Sequence, residues 1–461
     1  MSTILASYIS NSKNTAYFMN SLKRDGRTIT LYNDKDSTFS SSVDIPEQSM
    51  PEINSVPYPV KRAYNVGELI SDSDKASDCT AKLQEYIDTC AENGGGALFL
   101  GAGVYRVTTL ELKSRVSLIG LGPTQTIIKR IVNNVTSYDK SFIYVSPGCI
   151  GFNIQDLSIN GDCSVAGSED PVYQISGYTS YTEGDYITGL YITSCPTVAN
   201  YTDGRTSIVN AYLPLESTGS LEHNSPYKFS NISNVVICGF TKHGLYIGNN
   251  VTNLSLNNVT CNINKGDGIS CNGNNVLMNN IVTCGNGSNG LYLGGTLNKA
   301  TNVRADFNGK YNHMESSGIY LDGSYNSITN ASTKYNWSTG IKLITAYNSI
   351  CNSICDANGP TYDDNENARM LNPKDVPQMY VSGNGHTIHN AKFFNYRANA
   401  NVTISLTSIQ MDNITNSEID CLIMPNSGAV NPLYDNNAID HNEYYNHSDY
   451  GNNIISLRFI S

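Results

Sequence analysis

The chain has 461 residues, of which only 15% are charged, and its formal net charge is −11. Glycine (38) and tyrosine (31) are abundant while tryptophan occurs once, a composition that favours strands and turns over helices. The negative charge argues against nucleic acid as a partner and, more weakly, against a polyanionic substrate. No apolar stretch approaches the ~20 residues of a membrane span, so membrane insertion is not expected.

Residues 1–60 differ from the rest of the chain because they show no repeat and end in the proline-rich stretch PEINSVPYPV. They predict a small N-terminal module or arm, followed by one long domain over 61–461. The first residues are polar, so no signal peptide is predicted, and a virion tail or the cytoplasm is the expected location. Twelve cysteines without a C-x-x-C pair favour a reduced protein, and no metal or other cofactor is predicted.

The stretch ASDCTAKLQEYIDTCAENGGG, residues 76–96, predicts a short amphipathic helix. Asp78 is a suitable N-cap, Leu83, Ile87 and Cys90 form an apolar face, and Gly94 begins the stop signal. Such a helix can cover the open end of a β-solenoid, whose edge would otherwise recruit other strands.

Two motifs repeat through the middle of the chain. A glycine, an aliphatic, a variable and an apolar residue recur at intervals of 24, 22, 28 and 22 residues, starting at Gly244, Gly268, Gly290, Gly318 and Gly340. An asparagine recurs before a strand-like segment at Asn234, Asn258, Asn280, Asn302, Asn330 and Asn352. Periods of 20–30 residues without helical periodicity predict a parallel β-helix, an all-β solenoid of stacked coils.

The repeated asparagines are expected to form a structural ladder. Equivalent residues of stacked coils lie about 4.8 Å apart, so each amide can bond the next one. Asparagine also tolerates the left-handed backbone of a tight bend. We expect these side chains to point inward.

The variable position of the glycine motif points outward by alternation. It holds Tyr246, Ser270, Tyr292, Tyr320 and Lys342. This near-continuous tyrosine stripe has three interpretations: a groove in which sugar rings stack, a subunit interface, or filler of a sheet surface. The next outward position holds Gly248, Asn272, Gly294, Asp322 and Ile344, so one carboxylate lies on the same face.

Two insertions interrupt the repeat, at about 164–232 and 359–377, and a smaller one, GKYNHMESS, ends near Glu315. Insertions in solenoids collect on one face, often the binding face. Glycoside hydrolysis needs two carboxyl groups, about 5–5.5 Å apart for retention or about 6.5–9.5 Å for inversion. We expect Asp322 to pair with Glu315 or Asp267 as the catalytic residues.

Further residues are expected to bind substrate. Asp363 and Asp364 lie in the second insertion, from which they could fold over the groove. His243 and His313 lie at turns beside the tyrosine stripe and could bond sugar hydroxyls.

Residues 78–130, DCTAKLQEYIDTCAENGGGALFLGAGVYRV followed by VSLIGLGPTQTIIK, resemble the N-terminal part of the pectate-lyase-like superfamily of right-handed parallel β-helix proteins. The resemblance extends over roughly 78–425 and implies that fold. Phage tailspike depolymerases, glycoside hydrolases and lyases belong to the superfamily, and its tailspike-like members imply a homotrimer.

The catalytic motifs of the best-known enzymes of this superfamily are missing here. The chain lacks the Asn-Thr-Asp, Asp-Asp and Gly-His-Gly motifs of polygalacturonases. It also lacks the arginine-rich, calcium-binding strand of pectate lyases, since Arg304 is the only arginine between Leu245 and Asn358. Elimination at uronates is therefore less expected, and no catalytic residue is carried over.

The sequence predicts a carbohydrate-active enzyme that cleaves a polysaccharide by a carboxylate pair on a tyrosine-lined groove, like a tailspike depolymerase. A neutral or lightly charged glycan suits the charge balance. A non-catalytic glycan- or receptor-binding spike is the first alternative. A sugar transferase of the fructan type, or a polysaccharide lyase on the same scaffold, is the other.

Overall fold

The computed structural model divides into two compact units, Met1–Pro59 and Val60–Ser461. The structure describes residues 19–25, 28–33, 39–44, 63–131, 141–145, 149, 151–161, 187–192, 199–200, 206–207, 230–249, 251–310, 316–359, 377–394, 409–423 and 453–459. In the first unit, the strands Met19–Asp25, Thr28–Asn33 and Phe39–Asp44 form an antiparallel sheet. The second unit is a right-handed parallel β-helix with a capping helix, as the repeats predicted.

Among the described residues, three helices precede the coils: Val66–Leu69, Asp72–Ala76 and Thr80–Glu92. The third is the predicted capping helix, and it packs against the first strands of the solenoid. Leu83, Ile87 and Cys90 are fully buried on its inner face. The predicted N-cap is wrong by one residue, since Cys79 occupies that position. The Asp78 carboxylate, one residue earlier, accepts a 2.9 Å hydrogen bond from the backbone N–H of Thr80.

One wall of the solenoid is a ten-stranded sheet of mostly short parallel strands. In stacking order, its strands are Leu110–Leu112, Ser141–Val145, Thr188–Ile192, Leu245–Ile247, Ile269–Cys271, Leu291–Leu293, Ser317–Leu321, Thr339–Leu343, Met379–Asn384 and Ile409–Thr415.

The other walls belong to one sixteen-stranded sheet. Its main path is Ala63–Asn65, Gly96–Phe99, Val116–Ile119, Asn153–Asn160, Ser230–Cys238, Leu254–Asn262, Leu277–Cys284, Lys299–Asp306, Ser327–Lys334, Ser349–Cys351, Thr387–Phe394, Glu418–Ile423 and Ile454–Phe459. Gly103–Val107, Thr126–Arg130 and Ile354–Asp356 pair beside it. The strands Ala199–Asn200 and Thr206–Ser207 form a separate antiparallel pair.

The insertion predicted over 164–232 is interrupted by a coil. Thr188–Ile192 is a strand of the ten-stranded sheet, and Tyr191 is in register with Tyr246. The prediction of a continuous insertion is therefore wrong at 187–192. The sequence carried the signal, because Gly189-Leu190-Tyr191-Ile192 matches the repeated glycine motif.

The repeated asparagines form the predicted ladder, but on the outside of the solenoid. Asn258 donates through Nδ2 to Asn234 Oδ1 at 2.9 Å, and Asn234 donates to the Asp156 carboxylate at 2.7 Å. Each takes a left-handed backbone, with φ of 56° at Asn258, and bends a long strand of the sixteen-stranded sheet. The expectation that they point inward is wrong because the bend is convex and turns the amides toward solvent.

A second ladder, which the sequence reading missed, lies inside the solenoid. We call it the Asn308 series, and it comprises Asn264, Asn286, Asn308, Asn336, Asn358 and Gln378, all buried. Each side chain donates to the next along the axis, at 2.9 Å from Asn286 to Asn308 and 3.0 Å from Asn308 to Asn336. Buried amides are stable there because each also bonds the main chain of a neighbouring coil.

The Asn308 series explains the glycine of the repeated motif. A Cβ atom on Gly318 would lie 2.6 Å from Asn336 Nδ2 and 2.8 Å from the Gly340 carbonyl oxygen. A Cβ on Gly268 would lie 2.7 Å from Asn286 Nδ2. The motif therefore requires glycine for space between two coils.

Gly318→Ala is expected to lower the free energy of unfolding by about 1–3 kcal/mol, because the methyl group must displace a buried amide or a backbone. Gly101→Ala is the matched control, since its Cβ would have no neighbour closer than 3.4 Å. Urea denaturation of both variants tests this. Equal effects at the two positions would contradict the explanation of the motif.

Among the described residues, no helix is long and apolar enough to cross a membrane.

Candidate functional site

The outward positions of the ten-stranded sheet form one column along the solenoid axis, which we call the tyrosine column. In register it contains Tyr144, Tyr191, Tyr246, Ser270, Tyr292, Tyr320, Lys342 and Tyr380. Glu111 and Gln410 occupy its two ends. The column is longer than the stripe read from the sequence, because Tyr144, Tyr191 and Tyr380 extend it. With these two end residues it continues through ten coils.

Ser270 divides the column into two halves of different character. In the first, Tyr191 stacks on Tyr246 with ring centroids 4.8 Å apart and planes 9° apart. In the second, Tyr320 meets Tyr292 edge-on at 5.4 Å, and Lys342 Nζ lies 4.8 Å from the Tyr320 centroid. The first half is an aromatic stack, whereas the second also presents charge.

Tyr292 and Asp322 form a hydrogen-bonded pair in the second half. The Tyr292 hydroxyl donates to Asp322 Oδ2 at 2.6 Å. Gly294 makes room for the phenol, since a Cβ there would lie 2.7 Å from the ring. Burial, and then the bond to Asp322, raise the pKa of Tyr292 above its usual value, so the phenol stays protonated at neutral pH. The pair thus places a proton donor against a proton acceptor.

A second pair, His243 and Asp267, lies at the other border of the column. His243 Nδ1 is 3.3 Å from Asp267 Oδ2 and also 3.1 Å from the backbone N of Asp267. A neutral ring accepts from that N–H, whereas a protonated ring donates to the carboxylate. The His243 ring lies 5.9 Å from the ring of Tyr246, so this pair faces the column.

Asn289 holds Asp267 in place. Its backbone N–H and its Nδ2 both donate to Asp267 Oδ1 at 2.9 Å. Burial alone would raise the pKa of Asp267, but the bonds to His243 and Asn289 and the charge of His243 outweigh it, so the pKa is lowered. Asp267 is thus an ionised, nearly buried carboxylate that orients His243. The sequence reading missed Asn289, which gave no motif of its own.

The register does not bring Asp267 and Asp322 together. Ile269 and Ile319 are in register two coils apart. Asp267 lies two residues before Ile269, and Asp322 lies three residues after Ile319. At about 3.3 Å per residue and about 4.8 Å per coil, the backbones are separated by roughly 19 Å. This exceeds the ~6.5–9.5 Å of an inverting carboxyl pair, so these two residues do not form the predicted pair.

Four predicted site residues lie outside the described residues: Glu315, His313, Asp363 and Asp364. Their roles stay predictions. The described side chains also contain no group of three or more His, Cys, Asp or Glu that could hold a metal ion.

Basic residues lie along the border that carries His243. Lys242 immediately precedes His243, and Lys265 occupies the same corner one coil on, where its N–H bonds the Phe240 carbonyl. Further along, Lys310 Nζ lies 5.8 Å from the centroid of Trp337. This border therefore carries three lysines as well as the carboxylate of Asp267.

The fold and the site together define the class of this protein. It is a right-handed parallel β-helix with a column of aromatic side chains on its surface. No family model matches the chain. In sequence it is similar to mannuronan C5-epimerase AlgE1 of Azotobacter vinelandii, 34% identical over 110 residues, which are 22% of this chain and 8% of that protein. It is also similar to alginate lyase 7 of the same organism, with 30% identity over 131 residues. These residues are 26% of this chain and 15% of that protein. The chain thus covers less than a fifth of either relative.

In structure, the chain is similar to the enzymatically active domain of tailspike protein 2 of bacteriophage CBA120. The TM-score is 0.52 at 16% identity, covering 76% of this chain and 45% of that one. ORF18 of Geobacillus virus E2 gives a TM-score of 0.50 at 14% identity, covering 93% and 74%. These likenesses confirm the fold that the resemblance to tailspike-like β-helix proteins implied.

Proposed function

We propose that this protein is an enzyme that modifies a polysaccharide bound along the tyrosine column, with Tyr292 and Asp322 as its proton-transfer pair. The observation that carries the proposal is the 2.6 Å hydrogen bond between them, inside a continuous run of aromatic side chains. Aromatic faces bind the apolar faces of sugar rings, and successive coils, about 4.8 Å apart, match successive sugars of an extended chain.

The pair can supply the two proton transfers that breaking a glycosidic bond requires. Tyr292, kept protonated by its raised pKa, donates to the departing oxygen. Asp322 acts as the base that takes a proton from the substrate or from water. Asp267 is not proposed as the base, because it is buried and its Oδ1 already accepts two bonds from Asn289.

We further propose that the substrate contains uronate residues. The relatives that share about a quarter of this chain are named for mannuronan and alginate. The border with Lys242 and Lys265 supplies local positive charge, and Lys342 lies between Tyr320 and Tyr380, where it can bind a sugar carboxylate. At a uronate, loss of the C5 proton followed by loss of the C4 oxygen gives an unsaturated product. Return of a proton to the other face gives an epimer.

The position of Asp322 on the column, where its side chain is half-buried beside Tyr292, also favours hydrolysis, in which it would act with a second carboxyl group such as Glu315. We propose the homotrimer and the virion location together with this function, and the structural similarity to a tailspike protein supports both. A glycan-binding spike and a fructan-type transferase remain the alternatives on the same scaffold.

A glycan panel tests the proposal. Purified protein is incubated with neutral and acidic polysaccharides, and product size, new reducing ends, unsaturated-uronide absorbance and proton exchange at C5 are followed together. We expect a uronate polymer to be converted, with unsaturated ends or C5 exchange. Reducing ends without either signal would assign hydrolysis. Transferred products without reducing ends would assign a transferase, and retention without any turnover would contradict an enzyme.

A further inference from the structure

A third ladder lies inside the corner that follows the ten-stranded sheet, and a histidine completes it. Asn298, Asn326 and Asn348 occupy equivalent positions, each accepting from the backbone N–H of the preceding coil, at 3.0 Å for Asn326 and 2.9 Å for Asn348. His386 takes the next position and is fully buried. It accepts through Nδ1 from the N–H of Asn348 at 3.3 Å.

The other bonds of His386 assign its tautomer. Nε2 lies 3.0 Å from the Ser382 carbonyl oxygen and must donate to it. Nδ1 therefore carries no proton, which agrees with its role as acceptor. An asparagine at this position cannot gain a proton, whereas a histidine can. Protonation of Nδ1 would set one N–H against another, at a fully buried position.

We propose that His386 is a pH-sensitive joint, whose protonation loosens the C-terminal coils from the rest of the solenoid. The bond it would break joins the coil of Asn348 to that of His386. The backbone of His386 holds the next coil, because its N–H donates to Ser417 Oγ at 3.0 Å and its carbonyl accepts from Glu418 N at 2.8 Å. Ser382 belongs to the strand that carries Tyr380, the last tyrosine of the column. The joint therefore connects pH to the end of the candidate site.

Among the described residues, no opposing charge is in direct contact with the His386 ring. On the described elements packed against it, the titratable side chains include Lys342, Tyr347, Cys351, Tyr380, Asp412, Glu418, Asp420 and Cys421, and the strand that follows it carries His389 and Lys392. The two groups that bond its ring, the Asn348 N–H and the Ser382 carbonyl, are uncharged. Burial lowers the pKa of His386 below its usual 6.5, and the bond to the Ser382 carbonyl opposes this only in part.

The lowered pKa of His386 determines how the stability of these coils changes with pH. A folded-state pKa below the unfolded value means that the unfolded chain binds the proton first as pH falls. The stabilisation is full above pH about 6.5 and is lost as pH falls from there through the folded pKa. Each pH unit by which the pKa of His386 is lowered corresponds to about a tenfold change in the equilibrium between the closed and open states of these coils.

Amide hydrogen exchange on the full chain between pH ~7.5 and ~5, corrected for intrinsic exchange rates, tests the joint. In the wild type, the protection of the Asn348 and Glu418 amides against hydrogen exchange is expected to fall about tenfold or more on acidification. His386→Asn, which copies the residue of the neighbouring coils, should abolish that pH dependence. His389→Asn is the matched control on the same strand and should behave as the wild type.

An unchanged pH profile in His386→Asn would overturn the proposal, as would equal acid opening of coils remote from His386. If that variant does not fold, the titration of His386 in the wild type, followed by NMR, decides instead. A midpoint below 6.5 would support the joint, and one at or above 6.5 would overturn it.

Discussion

Tyr292→Phe is expected to lower kcat by about 10²–10³-fold while changing binding of the polysaccharide little. The substitution removes only the hydroxyl that donates to Asp322, and it keeps the ring that stacks in the tyrosine column. Asp322→Asn should lower kcat similarly, because an amide accepts a hydrogen bond but cannot take the proton. Steady-state kinetics on the glycan identified by the panel would measure both effects.

Tyr144→Phe is the matched control for Tyr292→Phe. Tyr144 occupies the same column four coils away, and its ring stacks on Tyr191 at 6.1 Å. We expect its kcat to stay within about threefold of the wild type. Equal losses in the two variants would show that the phenols matter for binding or folding, and Tyr292 would lose its assigned role.

The protonation of Tyr292 can also be measured without any substrate. Burial and Asp322 raise its pKa above the ordinary value of 10, so it should ionise later than an exposed tyrosine. The ultraviolet difference titration of wild type against Tyr292→Phe should therefore reveal a phenol that titrates above pH 10. If the phenol that this substitution removes titrates below pH 10, the role of Tyr292 as a proton donor would be contradicted.

Asn308→Ala is expected to lower the free energy of unfolding by about 3 kcal/mol. Asn308 Oδ1 accepts from both the backbone N–H and the Nδ2 of Asn286, at 3.1 and 2.9 Å. Truncation leaves those two buried donors without an acceptor, and each costs about 1–3 kcal/mol less any relaxation. Urea denaturation gives the value.

The control for Asn308→Ala is Asn302→Gly in the exposed ladder. Asn302 has φ of 56°, which glycine adopts freely, and its amide faces water. We expect a loss below about 1 kcal/mol. A loss as large as that of Asn308→Ala would mean that the outer ladder stabilises the solenoid as much as the buried one.

The periodicity of the sequence predicted the fold because each coil contributes one copy of the repeat. The 22-residue spacing of the glycine motif required stacked coils, and the helix with Leu83 and Ile87 had an apolar face of helical period. Periodicity could not tell which asparagine series faces inward. Asn258 and Asn264 recur with the same spacing, and only the left-handed bend at Asn258 turns one out while the other points in.

The candidate site was predictable only in part. Alternation placed Tyr292, Tyr320 and Lys342 on one face, since every second residue of a strand points the same way. Contacts between side chains of different coils depend on strand ends and rotamers. The sequence therefore did not indicate that Asp322 bonds Tyr292, or that Asp267 lies behind His243 at the opposite border.

The most direct test is a crystal structure of Asp322→Asn soaked with an oligosaccharide of the converted glycan. We predict that its sugar rings lie along the tyrosine column, with one over Tyr246 and the reacting linkage within hydrogen-bonding distance of the Tyr292 hydroxyl. An oligosaccharide bound on the sixteen-stranded sheet, or one whose linkage lies away from Tyr292, would contradict the proposed site.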